Sequence, residues 1–301
     1  MSESEAQGLG TGGALAVVPS INVAGCSDVG KVRAHNEDAY LIATLQRSMA
    51  VHDSSLSDAA NRWFASNGLG TLLVVADGMG GHDKGDVASQ MAVRTIADYA
   101  LNVMPWVTQQ ANPQPQGFQG NHETLTGIRT QLSNAVLTGD ANIRQASSGT
   151  ESTLKMGTTL TLAYVIWPRL YVVHVGDSRC YLYRLGQLSR LTKDHTLAQQ
   201  IMDQGYPGVD ASSHLHDMLW NSLGGSDELP SPQALRYDLC QGDVLVLCSD
   251  GLTKHVDEAQ LLATLATRAA PKDLCRSLVD QANAAGGTDN VTVVIAQVEL
   301  R

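Results

Sequence analysis

The chain lacks the residues that several common chemistries need. Its cysteines, Cys26, Cys180, Cys240, Cys248 and Cys275, are odd in number and contain no CxxC spacing. Three of them fall inside strand-like apolar runs, where a cysteine is a small reduced core residue, so a reducing cytoplasm is the expected compartment. No CxxxxxR loop offers a cysteine nucleophile and no GxSxG elbow a serine nucleophile, which leaves covalent catalysis without support. There is also no basic run. With 20 Lys and Arg against 30 Asp and Glu, the formal net charge is −10, which argues against non-specific binding to nucleic acid or an anionic membrane. The opening MSESEAQGLGTGGALAVVPS has neither a basic start nor a sustained apolar stretch, so it reads as neither a signal peptide nor a membrane span.

What remains is ordinary globular material, with 43% apolar and 17% charged residues over 301 positions. That is enough for one core, since single sandwiches commonly run to ~250 residues. Residues 1–20 read as a flexible tail and 21–301 as a single domain. The tail's Gly8-Leu9-Gly10-Thr11-Gly12-Gly13 matches a dinucleotide fingerprint in form only, because no strand precedes it and no amphipathic helix follows.

Along the domain, strands are expected over 21–27, 39–43 and 71–76, with 46–70 read as an insertion or surface excursion before the last of them. A helix follows from about Asp86, with Val87, Met91, Ile96 and Tyr99 as candidate buried positions, and a second spans 122–146. Strands over 158–167, 170–175 and 179–184 are spaced tightly enough for antiparallel hairpins, turning at Pro168 and at Gly176-Asp177. A short helix over 196–204, an irregular region to Gly224, strands over 234–239 and 244–249, helices over 257–269 and 272–284, and a last strand over 290–298 complete the pattern. Strands in both halves, each half followed by paired helices, imply an α+β fold of two antiparallel sheets packed face to face with helices outside.

Six short acidic or glycine-rich strings carry the chemistry: RAHNEDA (33–39), ADGMGGH (76–82), GTT (157–159), HVGDSR (174–179), LCSDG (247–251) and GGTDNVT (286–292). Their aspartates end or follow strand-like runs, so only a folded sheet brings these distant carboxylates together. An all-oxygen donor set suits magnesium or manganese, whereas zinc selects clustered histidine or cysteine. Asp77 has two oxygens at a strand end and can bridge two cations, and Gly78 leaves its own carbonyl free to approach one. Glu37 and Asp38 taken alone would be a solvated loop pair, but Arg33 four residues earlier adds a planar fork suited to phosphate oxygens.

In this order the six strings resemble the metal-dependent serine/threonine protein phosphatases, the protein phosphatase 2C family, and in particular its bacterial members. The resemblance runs from about Val23 to Val298. It implies a four-layer α-β-β-α sandwich. It also implies direct attack on phosphoserine or phosphothreonine by a hydroxide bridging two divalent cations, Mn2+ or Mg2+, with a weaker third ion. Asp77 would bridge the core pair, the Gly78 carbonyl would serve one ion, and Asp250 and Asp289 the other. Glu37 and Asp38 would act largely through waters, Arg33 would hold the substrate phosphoryl group, and Asp177 would join Asp250 around the third ion. Arg33, Asp77, Asp250 and Asp289 are thus the expected catalytic set. The expected partners are phosphorylated Ser/Thr proteins, with a cognate Ser/Thr kinase, and the expected state is a monomer.

Met79 stands where some eukaryotic relatives carry a histidine acid, leaving His82 or a water on the third ion as the leaving-group acid. Asn290 is read as orienting a water, capping the turn into the last strand, or both. Asp194, His195, Thr158 and Thr159 are read as structural, and His214 with His216 as a solvated HxH pair. Two alternatives stay open: a non-catalytic sensor or binding module on the same fold, and a small-molecule metal phosphoesterase.

Overall fold

The run from Thr71 to Ala76 is apolar on both faces because both faces are covered. It lies in β5 (Gly70–Met79). Leu72, Val74 and Ala76 point into one hydrophobic cluster and Leu73 and Val75 into another, the period-two alternation of a strand between two packed layers. The computed structural model describes residues 20–46, 48–50, 63–65, 70–80, 84–103, 122–148, 156–206, 210, 213–226 and 228–299.

One sheet contains β1 (Ser20–Asp28), β9 (Arg179–Arg184), β10 (Gln187–Arg190), β12 (Val244–Cys248) and β13 (Val291–Glu299), in the order β1-β13-β12-β9-β10. The other contains β2 (Asp38–Leu45), β5, β7 (Leu160–Ile166), β8 (Arg169–Val175) and β11 (Gln233–Asp238), in the order β11-β8-β7-β5-β2, with β6 (Gly157–Thr158) pairing the end of β5. All these pairings are antiparallel. A separate ribbon pairs β3 (Ser48–Ala50) with β4 (Trp63–Ala65). The rest of the 46–70 segment lies outside the described residues apart from its first and last positions, as do residues 1–19 of the tail; Ser20 already begins β1.

Helices α1 (Gly85–Asn102) and α2 (His122–Ser147) cover the second sheet. Their Ala88, Ala92, Ile96, Ile128, Leu132 and Ile143 share one core cluster with Leu72, Val74, Leu162 and Tyr171. On the other side α4 (Asp250–Thr253), α5 (Glu258–Ala266) and α6 (Pro271–Ala284) cover the first sheet through Leu252, Leu261, Leu274 and Leu278. The third cluster joins the two sheets through Val75, Val172, Leu182, Leu247 and Val294. Three apolar interfaces between four layers give the α-β-β-α sandwich expected from the strings. Helix α3 (Leu197–Asp203) is capped by the Thr196 side chain, which accepts from the Gln199 backbone.

Three local expectations change. Val87 is exposed, because the buried stripe of α1 is Gly85, Ala88, Ser89, Ala92, Ile96 and Ala100; small residues let this helix sit close to the sheet. Strands β8 and β9 do not form a hairpin: β8 pairs β7 and β11, whereas β9 pairs β12 and β10. The Gly176–Ser178 link therefore carries the chain from one sheet to the other. Asp77 also sits within its strand rather than after it, since Gly78 and Met79 continue the ladder against Thr158 and Gly157. β10 and the one-turn α4 were not anticipated.

Candidate functional site

Two crossings between the sheets occur at one end of the sandwich, and the acidic strings lie there. Residues 29–37 link β1 to β2, and Gly176–Ser178 links β8 to β9. At the same end Asp38 faces Asp77 across the β2–β5 ladder, Cys248 pairs with both Arg179 and Val293, and Asp28 pairs with Val291. Asp250 and Asp289 flank the β12 and β13 termini at this end. Five segments distant in sequence thus deliver Asp38, Asp77, Asp177, Asp250 and Asp289 to one place.

Hydrogen bonds fix the backbone beneath these side chains. The Asp77 N–H donates to Thr159 Oγ1 at 3.0 Å, and the Asp77 carbonyl accepts from Thr158 Oγ1 and from Thr159 N–H, both at 2.9 Å. Thr159 Oγ1 also meets Ser178 Oγ at 2.7 Å, which ties Asp77's support to the residue after Asp177. On the other side His195 clamps the crossover: its N–H donates to the Gly176 carbonyl at 2.7 Å and its Nδ1 accepts from the Gly176 N–H at 3.1 Å. Gly176 has φ +106°, and a Cβ there would lie 2.6 Å from Thr159, so this crossover requires glycine. Gly78 is required by close approach: a Cβ would collide with the Gly85 carbonyl at the start of α1 and come within 2.5 Å of the Glu37 carbonyl.

The RAHNEDA loop is latched by Asn290. Its Oδ1 accepts from Glu37 N–H at 2.8 Å, and its Nδ2 donates to the carbonyls of Val29 and His35, both at 2.9 Å. The asparagine is therefore a buried strut joining the loop to β13. Glu37 packs its carboxyl carbon against Gly85 and accepts at its carbonyl from Gly78 N–H and Ser89 Oγ. Ser249 Oγ donates to Asp38 Oδ2 at 2.8 Å and itself accepts from Thr292 N–H at 2.9 Å.

The five carboxylates feel one another. Each is partly open to solvent, as residues in the floor of a cleft are, yet enough protein surrounds three of them for desolvation to dominate. Burial, then Asp38, Asp250, Asp177 and Asp289, pushes the Asp77 carboxyl well above its ordinary range. Burial, then Asp250 and Asp194, does the same at Asp177. Asp38 is pushed up to about 7, by burial first and with Asp250 and Asp289 adding to it, against the hydrogen bonds from Thr292 and Ser249. Asp38 Oδ1 and Asp250 Oδ1 are buried without a hydrogen-bond partner. Like charges held together with orphaned oxygens fit a site made for a multivalent cation.

At the other edge the chain provides cations itself. Lys254 Nζ lies 2.6 Å from Asp250 Oδ2 and 3.0 Å from Asp289 Oδ2. Arg33 Nε lies 2.8 Å from Asp289 Oδ1, with Nη2 3.1 Å from Oδ2. Although burial works to raise it, the Asp289 carboxyl is held below the ordinary range by Lys254 and Arg33. Burial likewise opposes charge on Lys254, but Asp250 and Asp289 hold its ammonium above the usual lysine range. Among the described residues no three His, Cys, Asp or Glu side chains are grouped as tightly as the ligands of one ion. That still fits magnesium-like cations, which keep several waters and take one or two carboxylates each.

All the expected site residues, Arg33, Glu37, Asp38, Asp77, Gly78, Asp177, Asp250 and Asp289, lie at this end, while His82 is outside the described residues. Lys254 and Ser249 were missed. The i, i+4 spacing of Asp250 and Lys254 was a usable signal had the turn after LCSDG been read as a helix. Asp194, read as structural, forms a bidentate pair with Arg179, its Oδ2 2.7 Å from Nη2. Burial holds His195 down to about 4 and His174 down to about 3, so both rings are neutral struts behind the crossover.

Comparison with known proteins agrees with this geometry. The pattern of the family described as Protein phosphatase 2C matches residues 46–285. The Mycobacterium tuberculosis serine/threonine protein phosphatase PstP is 34% identical over 229 residues, covering 75% of this chain and 40% of the relative; this chain thus spans about two fifths of that protein's length. The Listeria monocytogenes serine/threonine phosphatase stp is 29% identical over 276 residues, covering 91% of this chain and 94% of the relative. Among solved structures, the catalytic domain of PstP in complex with two manganese ions is 30% identical with a TM-score of 0.67, covering 94% of this chain and all of that one. The fold, the order of the strings and these likenesses place the chain in the protein phosphatase 2C family.

Proposed function

We propose that this protein is a divalent-cation-dependent phosphatase that hydrolyses phosphoserine and phosphothreonine residues of proteins. The observation that carries this reading is the meeting of Asp38, Asp77, Asp177, Asp250 and Asp289 at one end of the sandwich beside the guanidinium of Arg33. Its likeness to bacterial serine/threonine phosphatases, one of them solved with two manganese ions, supports the reading.

Asp77, with the Gly78 carbonyl, and Asp250 with Asp289 would hold the core cations, and Asp177 with Asp250 a weaker third. Glu37 and Asp38 would act through intervening waters. Bound there, the cations would supply an acidified water as nucleophile and polarise the phosphoryl oxygens. Arg33 is half-exposed at the rim, where its fork can leave Asp289 for substrate phosphate oxygens, a charge-assisted pairing. The Thr158 and Thr159 hydroxyls hold the Asp77 backbone in place, the Ser178 hydroxyl ties Thr159 to the residue after Asp177, and Asn290 holds the loop bearing Arg33.

The substrates would be the products of a cognate Ser/Thr kinase, in a cytoplasmic setting, with the enzyme acting as a monomer whose single domain spans 21–301. No helix among the described residues is long and apolar enough to cross a membrane. The test is hydrolysis of a phosphopeptide and of an aryl phosphate, each with manganese and with excess chelator. Manganese-dependent turnover of the phosphopeptide is expected. Turnover of the aryl phosphate alone would point to small-molecule substrates, and no turnover of either would point to a binding module.

A further inference from the structure

The cleft contains a cation that the reading above does not use. Lys254 is the residue after the one-turn helix α4, four positions beyond Asp250, and its side chain is 35% exposed. Its ammonium bridges the facing Oδ2 atoms of Asp250 and Asp289. The oxygens of Asp289 are fully engaged: Oδ1 takes Arg33 Nε and the Asn290 N–H at 3.0 Å, and Oδ2 takes Arg33 Nη2 and Lys254 Nζ. Asp250 Oδ1 has no hydrogen-bond partner, so it is at Asp289 that an arriving dication has to move an existing donor. Of the two cations, lysine is the one suited to leaving for a metal ion, since a compact ammonium on a four-carbon stem can swing to solvent, whereas Arg33 gives up its bidentate fork only for another anion such as a phosphate.

We propose that Lys254 is a resident counter-cation of this site, occupying the Asp250–Asp289 edge while the protein is metal-free and expelled when a divalent ion takes those carboxylates. This rests on the reading of the cleft as a metal site. Lys254 then has two consequences with opposite signs. It stabilises the metal-free fold by neutralising carboxylates that would otherwise repel, and it weakens the apparent affinity for metal because binding must displace it. The site is thereby tuned to respond to cation concentration rather than to stay filled.

The test compares calorimetric manganese titrations and thermal unfolding of wild type, Lys254→Met and Lys254→Arg. Lys254→Met should bind manganese about tenfold more tightly, the scale of one partly exposed ion pair with two partners. It should unfold at a lower temperature than wild type in chelator, and the difference should vanish at saturating manganese. Lys254→Arg, which keeps the charge, should stay within about twofold of wild type in affinity. An unchanged or weaker affinity in Lys254→Met would overturn the proposal, as would a stability loss that persists at saturating manganese, the mark of a merely structural lysine. A wild-type protein that takes up no manganese would instead bring down the metal reading itself, so the two failures are distinguishable.

Discussion

The inner and outer halves of the carboxylate cleft handle negative charge in opposite ways. Asp38, Asp77 and Asp177 line the inner half, where burial and mutual repulsion push their carboxyls up and no lysine or arginine side chain pairs with them among the described contacts. Asp250 and Asp289 form the outer half, where Lys254 bridges them and Arg33 forks onto Asp289. The fold therefore neutralises one edge with its own side chains and gives the other no such partner, so that ionising the inner carboxyls carries a cost. Such a cost persists where an external cation offsets it, which makes the inner half the part most dependent on metal.

The largest break in this contrast should come from Asp77→Asn. Removing the carboxylate that would be shared by the core ions in the proposed site should lower kcat by about 10⁴-fold or more, the several kcal/mol that metal polarisation supplies. In chelator the same variant should unfold at a higher temperature than wild type, because one repelling charge is gone. Steady-state kinetics and a melt on the same sample check both signs, and a variant less stable in chelator would remove the inner-half strain from the account.

Asp177→Ala should follow, lowering kcat by ~10²–10⁴, the span of a proton-transfer catalyst. An alkyl phosphoester should suffer more than a nitrophenyl ester, whose leaving group hardly needs a proton. Equal losses would make Asp177 only a crossover residue. At the outer half, Arg33→Ala should cost ~1.5–3 kcal/mol in kcat/KM for phosphopeptide, mainly through KM. Because Arg33 also neutralises Asp289, the variant should bind manganese slightly more tightly; an unaltered KM would rule out the phosphate clamp.

The smallest expected effect is a difference in pH dependence. Asp38 has a folded value near 7, above an unfolded carboxyl, so the folded state binds its proton more tightly. Its contribution to stability is fully present below the unfolded value and is lost as pH rises through about 7. Asp289 has the opposite sign: its lowered carboxyl adds stability above the ordinary range, which is lost as pH falls through its depressed value. Metal-free melting temperature should therefore climb on acidification from pH 8 towards 5 and fall again in stronger acid. Asp38→Asn should make the upper limb shallower and leave the acid limb unchanged, Asp77 and Asp177 supplying the rest of the upper limb, and an upper limb unchanged in that variant would assign it to those groups.

Much of this was legible in the sequence, and the reasons are local. The 71–76 run had to be buried on both faces, and the aspartates at strand termini had to be gathered by a sheet. What was not legible depends on partners far along the chain. Periodicity marks β8 and β9 as strands but is silent on which sheet each joins, so the Gly176–Ser178 crossover resembled a hairpin turn. Apart from Ile96, the buried stripe of α1 is made of alanine, serine and glycine, so hydrophobicity draws attention to Val87 as well. Asn290 could be seen as a turn cap, but its grip on Val29 and His35 spans more than 250 positions. Lys254 is close to Asp250 in sequence, yet its bridge to Asp289 exists only once β12 and β13 pair.

The most direct measurement is phosphopeptide turnover followed across a manganese titration in which metal binding is measured calorimetrically on the same protein. The account predicts no turnover in excess chelator, turnover rising in step with bound manganese, and an Asp77→Asn variant flat in activity and weakened in binding. Full turnover by the chelated wild type would contradict it.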